Sequence, residues 1–223
     1  MDEKLLLLIN RQWISPVLDR VMALLSSFPA WVPLLLILVA LLLWRGGFHA
    51  RALVLCAAMI VGVNDGVISR TLKQLVGRPR PYESLDGVRQ VDLGKATDFG
   101  KATPRLLALG KPLKIKLSEA PLDRSQIHGH SFPSSHTINT ISVALLVACF
   151  YRRFGWLAFL PALGVAYSRI YTGAHWPTDV CASIFLGLGA TLLLLATFEW
   201  LWTNAGGRWW PRFHERHPSL IPS

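Results

Sequence analysis

Long apolar runs with few charges divide this chain into segments. Five runs occupy about residues 29–44, 51–74, 135–151, 156–172 and 177–202. An apolar run of about 18 residues or more is long enough to cross the hydrocarbon core of a bilayer as a helix. The pattern therefore predicts an all-α fold, an integral-membrane helical bundle with five to six transmembrane helices in a single domain.

The sixth helix in that count depends on residues 2–28, which carry shorter apolar stretches broken near Pro16 and Pro29. Short amphipathic helices of this kind can lie in the membrane interface. The segment starts with acidic residues and has no small-residue cleavage site, so it does not resemble a signal peptide. We expect one or two N-terminal helices that are interfacial or partly spanning.

Basic residues set the expected orientation. The short connectors 45–51 and 151–155 carry two arginines each, and the tail 204–223 is also basic. Positive charge marks the cytoplasmic side of a membrane protein. With five spans, the tail is then cytoplasmic, and the long loop 77–133 faces the periplasm or the exterior of a plasma (inner) membrane.

Composition argues against two other classes of protein. The net charge is +10, but no basic helix or aromatic platform separates from the apolar runs, so nucleic-acid binding is not predicted. Basic loops facing anionic lipids explain the charge. The three cysteines lie inside apolar runs without CxxC spacing, which argues against a disulfide framework or a zinc site. No cofactor is predicted.

Three polar clusters stand at span ends, all on the same predicted face. In the first, Lys73 lies near the end of the second span, and Arg80 follows between Pro79 and Pro81. The prolines restrict the backbone around Arg80. The lysine ammonium is a compact charge, and the arginine guanidinium is a planar group with several N–H donors. Both groups suit phosphate oxygens. Alternatively, these two cations are ordinary basic residues that flank a membrane span and contact lipid head groups.

The second cluster opens the third span with Pro133, Ser134, Ser135 and His136. A serine there is a natural N-cap, and the free N–H groups of the first turn form an anion site. His136 in that turn could exchange a proton with a bound phosphate. His128 and His130, which precede the cluster, are interpreted as loop residues.

The third cluster contains Arg169 at the end of the fourth span, His175 before the fifth helix and Asp179 in its first turn. A carboxylate four residues after a histidine can accept a hydrogen bond from one imidazole nitrogen, which leaves the other free to attack. Together the clusters predict a phosphate pocket with a nucleophile and an acid. They hold one carboxylate, which argues against a two-metal phosphatase, and no metal is predicted.

In these residues the chain resembles the type-2 phosphatidic acid phosphatase superfamily, which also includes vanadium haloperoxidases. The family motifs are K-x6-RP, PSGH and SR-x5-H-x3-D. The first and third match in full, at Lys73 with Arg80-Pro81 and at Ser168-Arg169 with His175 and Asp179. In the second, Ser135 replaces the family glycine.

The resemblance implies a role for each matching residue. His175 would form a phosphohistidine, Asp179 would orient it, and His136 would protonate the leaving oxygen. The phosphoryl oxygens would be held by Lys73, Arg80, Arg169, Ser134 and the backbone N–H of Ser135.

The predicted function is therefore a metal-independent membrane lipid phosphatase. Undecaprenyl diphosphate, phosphatidylglycerophosphate, phosphatidate and lipid A phosphates all remain open as substrates, and loop 82–132 is expected to help select among them. The alternatives are a phosphate-binding or transport protein without hydrolysis, a haloperoxidase and an inactive relative. No oligomeric state is predicted.

Overall fold

The computed structural model describes residues 1–93, 113–119 and 129–222. Its helices are α1 (Asp2–Leu7), α2 (Pro16–Ser26), α3 (Phe28–Arg45), α4 (Phe48–Val63), α5 (Arg70–Val76), α6 (Pro81–Ser84), α7 (Ser135–Phe150), α8 (Phe159–Tyr171), α9 (Pro177–Trp209) and α10 (Pro211–Arg216). Each predicted span coincides with helix. The second consists of α4 and α5 joined by a π-helical turn, Asn64–Ser69. The all-α bundle is confirmed.

Three helical stretches of the described chain are long and apolar enough to cross a membrane: Phe28–Arg45, Phe48–Ser84 and Pro177–Trp209. α7 has 16 residues and α8 has 13. At about 1.5 Å per residue these two helices are shorter than the roughly 30 Å hydrocarbon core. Most of α3 is exposed, as expected for a helix that faces lipid.

The centre of the bundle is α7, which packs against α4, α8 and α9. Ile138 and Ile141 of α7 are completely buried. α9 can approach this helix closely because it presents Gly187 there. A Cβ at residue 187 would lie 2.9 Å from the carbonyl oxygen of Ile138. The α7–α9 contact therefore depends on the missing side chain.

The predicted N-terminal helices are present as α1, extended by a π-helical turn (Leu8–Gln12), and α2. The breaks occur where expected: Pro16 begins α2, and Pro29 lies in the first turn of α3. With 11 residues, α2 is too short to span a bilayer. The segment packs on α8 and on a small sheet, and its placement in the interface stays a prediction.

That sheet was not predicted. In the region expected to be a long loop, β1 (Arg89–Asp92) pairs antiparallel with β2 (Lys114–Leu117), with Arg89 opposite Leu117. The buried side chain of Asn10 fixes the sheet, since it donates to the carbonyl oxygens of Arg89 and Tyr171. The N-terminal segment, the sheet and the end of α8 therefore form one unit.

The close approach of α7 and α9 can be tested with two glycines of the same helix. Gly187→Ala should lower the melting temperature in detergent, because the new methyl group forces the backbones apart at a cost of about 1–3 kcal/mol. Beyond its own helix, a Cβ at residue 189 would meet no atom of the described residues within 4 Å, so Gly189→Ala is the matched control with the same gain in helix propensity. Equal melting temperatures for the two variants would contradict the tight contact.

Candidate active site

His175 lies on the turn between α8 and α9. Gly173 allows this turn through its positive φ of 70°. The backbone N–H of His175 donates to the carbonyl oxygen of Arg169, 3.1 Å away, which closes the turn. The side chain is only 3% exposed. The residue predicted to be the nucleophile is therefore held rigidly at the end of two helices.

The ring of His175 is oriented by a backbone group. Its Nδ1 lies 2.5 Å from the carbonyl oxygen of Ser131. A carbonyl oxygen can only accept, so Nδ1 carries the proton and the lone pair is on Nε2. The tautomer is thus the one that leaves Nε2 unprotonated.

Asp179 does not make the direct bond to His175 that its spacing led us to expect. Its carboxylate is completely buried and accepts from the Ser131 hydroxyl at 2.5 Å and from Arg78 at 2.5 Å. The backbone N–H of Trp176 adds a longer bond of 3.3 Å. Ser131 therefore stands between the carboxylate and the imidazole, and an orienting role of Asp179 would have to pass through it.

Ser131 and Arg78 are the two residues of this arrangement that sequence reasoning missed. Arg78 lies between Gly77 and Pro79 in the first cluster, and the sequence assigned it no role. The one feature of the sequence that could have pointed to Arg78 is its position two residues before the predicted phosphate ligand Arg80. Ser131 lies three residues before the predicted Ser134, and no pattern singled it out.

The loops that carry the first two clusters are in direct contact. The backbone N–H of Ser131 donates to the carbonyl oxygen of Arg78 at 2.8 Å. Gly129 is required beside it, because a Cβ there would collide with the backbone of Arg78 and Pro79. The third cluster joins through the indole N–H of Trp176, which donates to the carbonyl oxygen of Pro79 at 2.8 Å. The structure thus brings all three predicted clusters together. His130 is exposed in this loop, and His128 lies outside the described residues.

His136 is the second residue of α7 and is partly buried. It lines a cavity of about 310 Å³ together with Arg169. Residues 26–29 at the α2–α3 junction and residues 90–92 at the end of β1 form other parts of the wall. The predicted acid therefore faces open space next to a predicted phosphate ligand.

The three predicted cations are each held by a polar neighbour. Lys73 Nζ donates to the Ser135 hydroxyl at 2.9 Å, and Arg80 donates to the hydroxyl of Tyr82 at 3.1 Å. Arg169 donates to the hydroxyl of Ser26, while its Nε is buried without a hydrogen-bond partner among the residues that the structure describes. The serine that replaces the family glycine is thus in contact with a predicted phosphate ligand.

Ser134 is placed differently from the other predicted ligands. It is completely buried, its N–H donates to Ser183 at 2.8 Å, and its hydroxyl oxygen accepts from Thr137 at 3.0 Å. These contacts anchor the start of α7. Any help that Ser134 gives to a phosphate competes with them.

The electrostatics of the site favour the neutral form of His175. Burial lowers the pKa of His175 well below its usual value, and the charges of Arg169 and Arg80 lower it further. The hydrogen bond to Ser131 acts in the opposite direction but does not reverse the shift.

No group of three His, Cys, Asp or Glu side chains able to hold a metal ion occurs in the part of the chain that the structure describes.

Among solved structures, the crystal structure of Aquifex aeolicus LpxE resembles this fold. It superposes with a TM-score of 0.53 over 87% of this chain and 94% of that chain, at 23% sequence identity. At this level of identity the likeness establishes the fold alone.

Three relatives are similar in sequence. The lipid A 4'-phosphatase of Bacteroides thetaiotaomicron is 26% identical over 84% of this chain and 72% of its own length. The bacitracin transport permease protein BcrC of Bacillus licheniformis is 41% identical over 30% of this chain and 34% of its own length. The undecaprenyl-diphosphatase of Sulfolobus acidocaldarius is 41% identical over 26% of this chain and 29% of its own length. The last two alignments thus span about a third of those proteins.

The model of the PAP2 superfamily matches residues 50–203, which include all three clusters. Because that match covers more than half of the chain, the resemblance predicted from the motifs is confirmed, and the chain belongs to the PAP2 superfamily.

Proposed function

We propose that this chain is an integral-membrane lipid phosphatase that uses His175 as a nucleophile and needs no metal ion. The observation that carries the proposal is the bond from His175 Nδ1 to the Ser131 carbonyl oxygen, which leaves Nε2 as a lone-pair donor. Membership of the family and the names of two relatives, a lipid A phosphatase and an undecaprenyl-diphosphatase, support phosphatase activity on a lipid.

In the first step, Nε2 of His175 attacks phosphorus, and the bond from phosphorus to the leaving oxygen breaks. The negative charge of the bound phosphate favours the protonated form of His136, which gives its proton to that oxygen. Lys73, Arg80 and Arg169 stabilise the charge on the phosphoryl oxygens. In the second step, water attacks the phosphohistidine, His136 takes the proton of the water, and the P–N bond breaks to release inorganic phosphate.

The cavity supports this assignment of the acid. An in-line displacement places the leaving group opposite the nucleophile. The described wall of the cavity includes His136 and Arg169 but does not include His175. We therefore infer that the cavity receives the part of the lipid that carries the leaving oxygen, while the chains attached to that part stay in the bilayer.

We place the site at the periplasmic or extracellular face of a plasma membrane. The site lies where α5 ends and α9 begins. The basic connectors 45–51 and 151–155 lie at the opposite ends of α4 and α7. The positive-inside rule makes those connectors cytoplasmic.

A phosphate-binding protein without hydrolysis is the alternative. It is less favoured because the cations alone would suffice for binding, whereas this site also fixes the tautomer of a buried histidine. Phosphate release decides between the two.

The nucleophile is tested with a panel of lipid A phosphates, undecaprenyl diphosphate, phosphatidate and phosphatidylglycerophosphate in detergent with EDTA. Wild type should release phosphate, and His175→Ala should lower the rate on the order of 10³-fold or more because the attacking lone pair is removed. His130→Ala, which changes an exposed histidine of the neighbouring loop, is the control and should keep the wild-type rate. Release by His175→Ala at the wild-type rate, or loss of all release in EDTA, would refute the mechanism.

The acid is tested by changing the leaving group. His136→Ala should slow hydrolysis of an alkyl phosphate roughly 10²- to 10⁴-fold, since an alkoxide needs a proton as it leaves. The same variant should lose much less rate with a nitrophenyl phosphate, whose leaving oxygen needs no proton. Equal losses on both substrates would show that His136 is not the acid.

The buried neutral state of His175 also predicts a dependence of stability on pH. The pKa of this histidine is lower in the folded protein than its usual value of about 6.5 in the unfolded chain. Below about pH 6.5 the unfolded chain binds the extra proton, so the free energy of unfolding falls as pH falls. His175→Ala should therefore lose less in melting temperature than wild type between about pH 7.5 and pH 5.5. An equal loss in both proteins would contradict the shift.

A further inference from the structure

We propose that Asp2 and Arg78 are positioning residues for hydrolysis, holding the Asp179 carboxylate and, through Ser131, the imidazole of His175. The inference rests on the proposed function and adds two residues to its machinery. Neither residue belongs to the motifs by which the family was recognised.

Arg78 bridges two carboxylates with its two terminal nitrogens. Nη1 donates to Asp179 at 2.5 Å, and Nη2 donates to Asp2 at 2.7 Å. Its guanidinium also lies over the ring of Trp176, 5.1 Å from the centroid. A planar fork held on three sides has one orientation available, which a lysine could not reproduce.

The buried carboxylate of Asp179 needs this cation. A fully buried charge is costly unless it is paired and hydrogen-bonded. Arg78 is the ion-pair partner that the described residues supply to Asp179. The Arg78 side chain is itself 33% exposed. Its hydrogen bond to Asp179 therefore depends on a second contact that fixes the solvent-facing side of the guanidinium.

Asp2 fixes that outer side. Its carboxylate accepts from Arg78 and also from the backbone N–H of Thr178 at 3.0 Å and the Thr178 hydroxyl at 2.7 Å. Although burial raises the pKa of the Asp2 carboxyl, the hydrogen bonds from Thr178 and Arg78 bring it below its usual value. The carboxylate is thus charged at neutral pH and pins Arg78 to the start of α9.

Ser131 transmits this arrangement to the nucleophile through three bonds. Its N–H donates to the carbonyl oxygen of Arg78 at 2.8 Å, and its hydroxyl donates to Asp179 at 2.5 Å. Its own carbonyl oxygen accepts from His175 Nδ1. A shift of Arg78 would therefore move Ser131 both through its N–H and, by way of Asp179, through its hydroxyl. The movement of Ser131 would in turn rotate the imidazole.

The N-terminal segment brings Asp2 to the site from outside residues 50–203, the part of the chain matched by the family model. The same segment supplies Ser26, whose hydroxyl accepts from Arg169, and residues 26–28 of the cavity wall. The segment thus contacts both the side of the nucleophile and the side of the leaving group.

The test compares kcat and KM for Asp2→Asn, Arg78→Lys and Glu3→Gln in the full-length protein. Asp2→Asn keeps an oxygen for the Thr178 N–H but weakens the link to Arg78. We expect kcat to fall roughly 5-fold for Asp2→Asn and roughly 50-fold for Arg78→Lys, because small misplacement of a reacting group is costly. KM should change less than about 2-fold, since the phosphate ligands are untouched. Glu3, an exposed neighbouring carboxylate, is the control and should keep the wild-type kcat.

A double variant separates positioning from simple docking of the segment. If Asp2 acts through Arg78, adding Asp2→Asn to Arg78→Lys should lower kcat no further than Arg78→Lys alone. Rates are expressed per mole of folded protein recovered from size-exclusion chromatography, so that unfolded protein does not count. Independent multiplication of the two losses, a change confined to KM, or an Asp2→Asn variant with the kcat of Glu3→Gln would overturn this inference alone. A wild type without phosphate release would overturn the proposed function as well.

Discussion

The arrangement of the site depends on one buried carboxylate. Asp179 has no exposed surface, yet it accepts hydrogen bonds from the first cluster through Arg78, from the loop just before the second cluster through Ser131 and from its own turn through Trp176. A charge so far from water must be surrounded by donors. The three clusters lie far apart in sequence, and the need to satisfy this group draws them to one point.

Much of this architecture could be predicted from the sequence. The apolar runs identified the long helices of the bundle, because burial in lipid leaves a signal that is local in sequence. The ends of these helices, marked by Gly77, Pro177 and the serines before His136, gave the location of the polar clusters. The family motifs then named the residues that the structure brings together.

The remaining features could not be predicted because they come from contacts distant in sequence. The spacing of His175 and Asp179 suggested a direct bond, but the turn directs Nδ1 to the backbone of Ser131, 44 residues away. The contact of Asp2 with Arg78 joins residues 76 positions apart and leaves no local pattern. The β1–β2 sheet consists of two strands of only four residues each, too short to stand out beside the apolar runs.

The acceptor that orients His175 belongs to the main chain. A side-chain acceptor can be removed by a single substitution, whereas every amino acid at position 131 would still present a carbonyl oxygen. What a substitution can change is the position of that oxygen, which is set by the packing of Gly129 on Pro79 and by the bond from the Ser131 N–H to Arg78. The tautomer of His175 is therefore determined by the path of the backbone, and a change of tautomer would arise from a change in loop geometry and not from the loss of any one functional group.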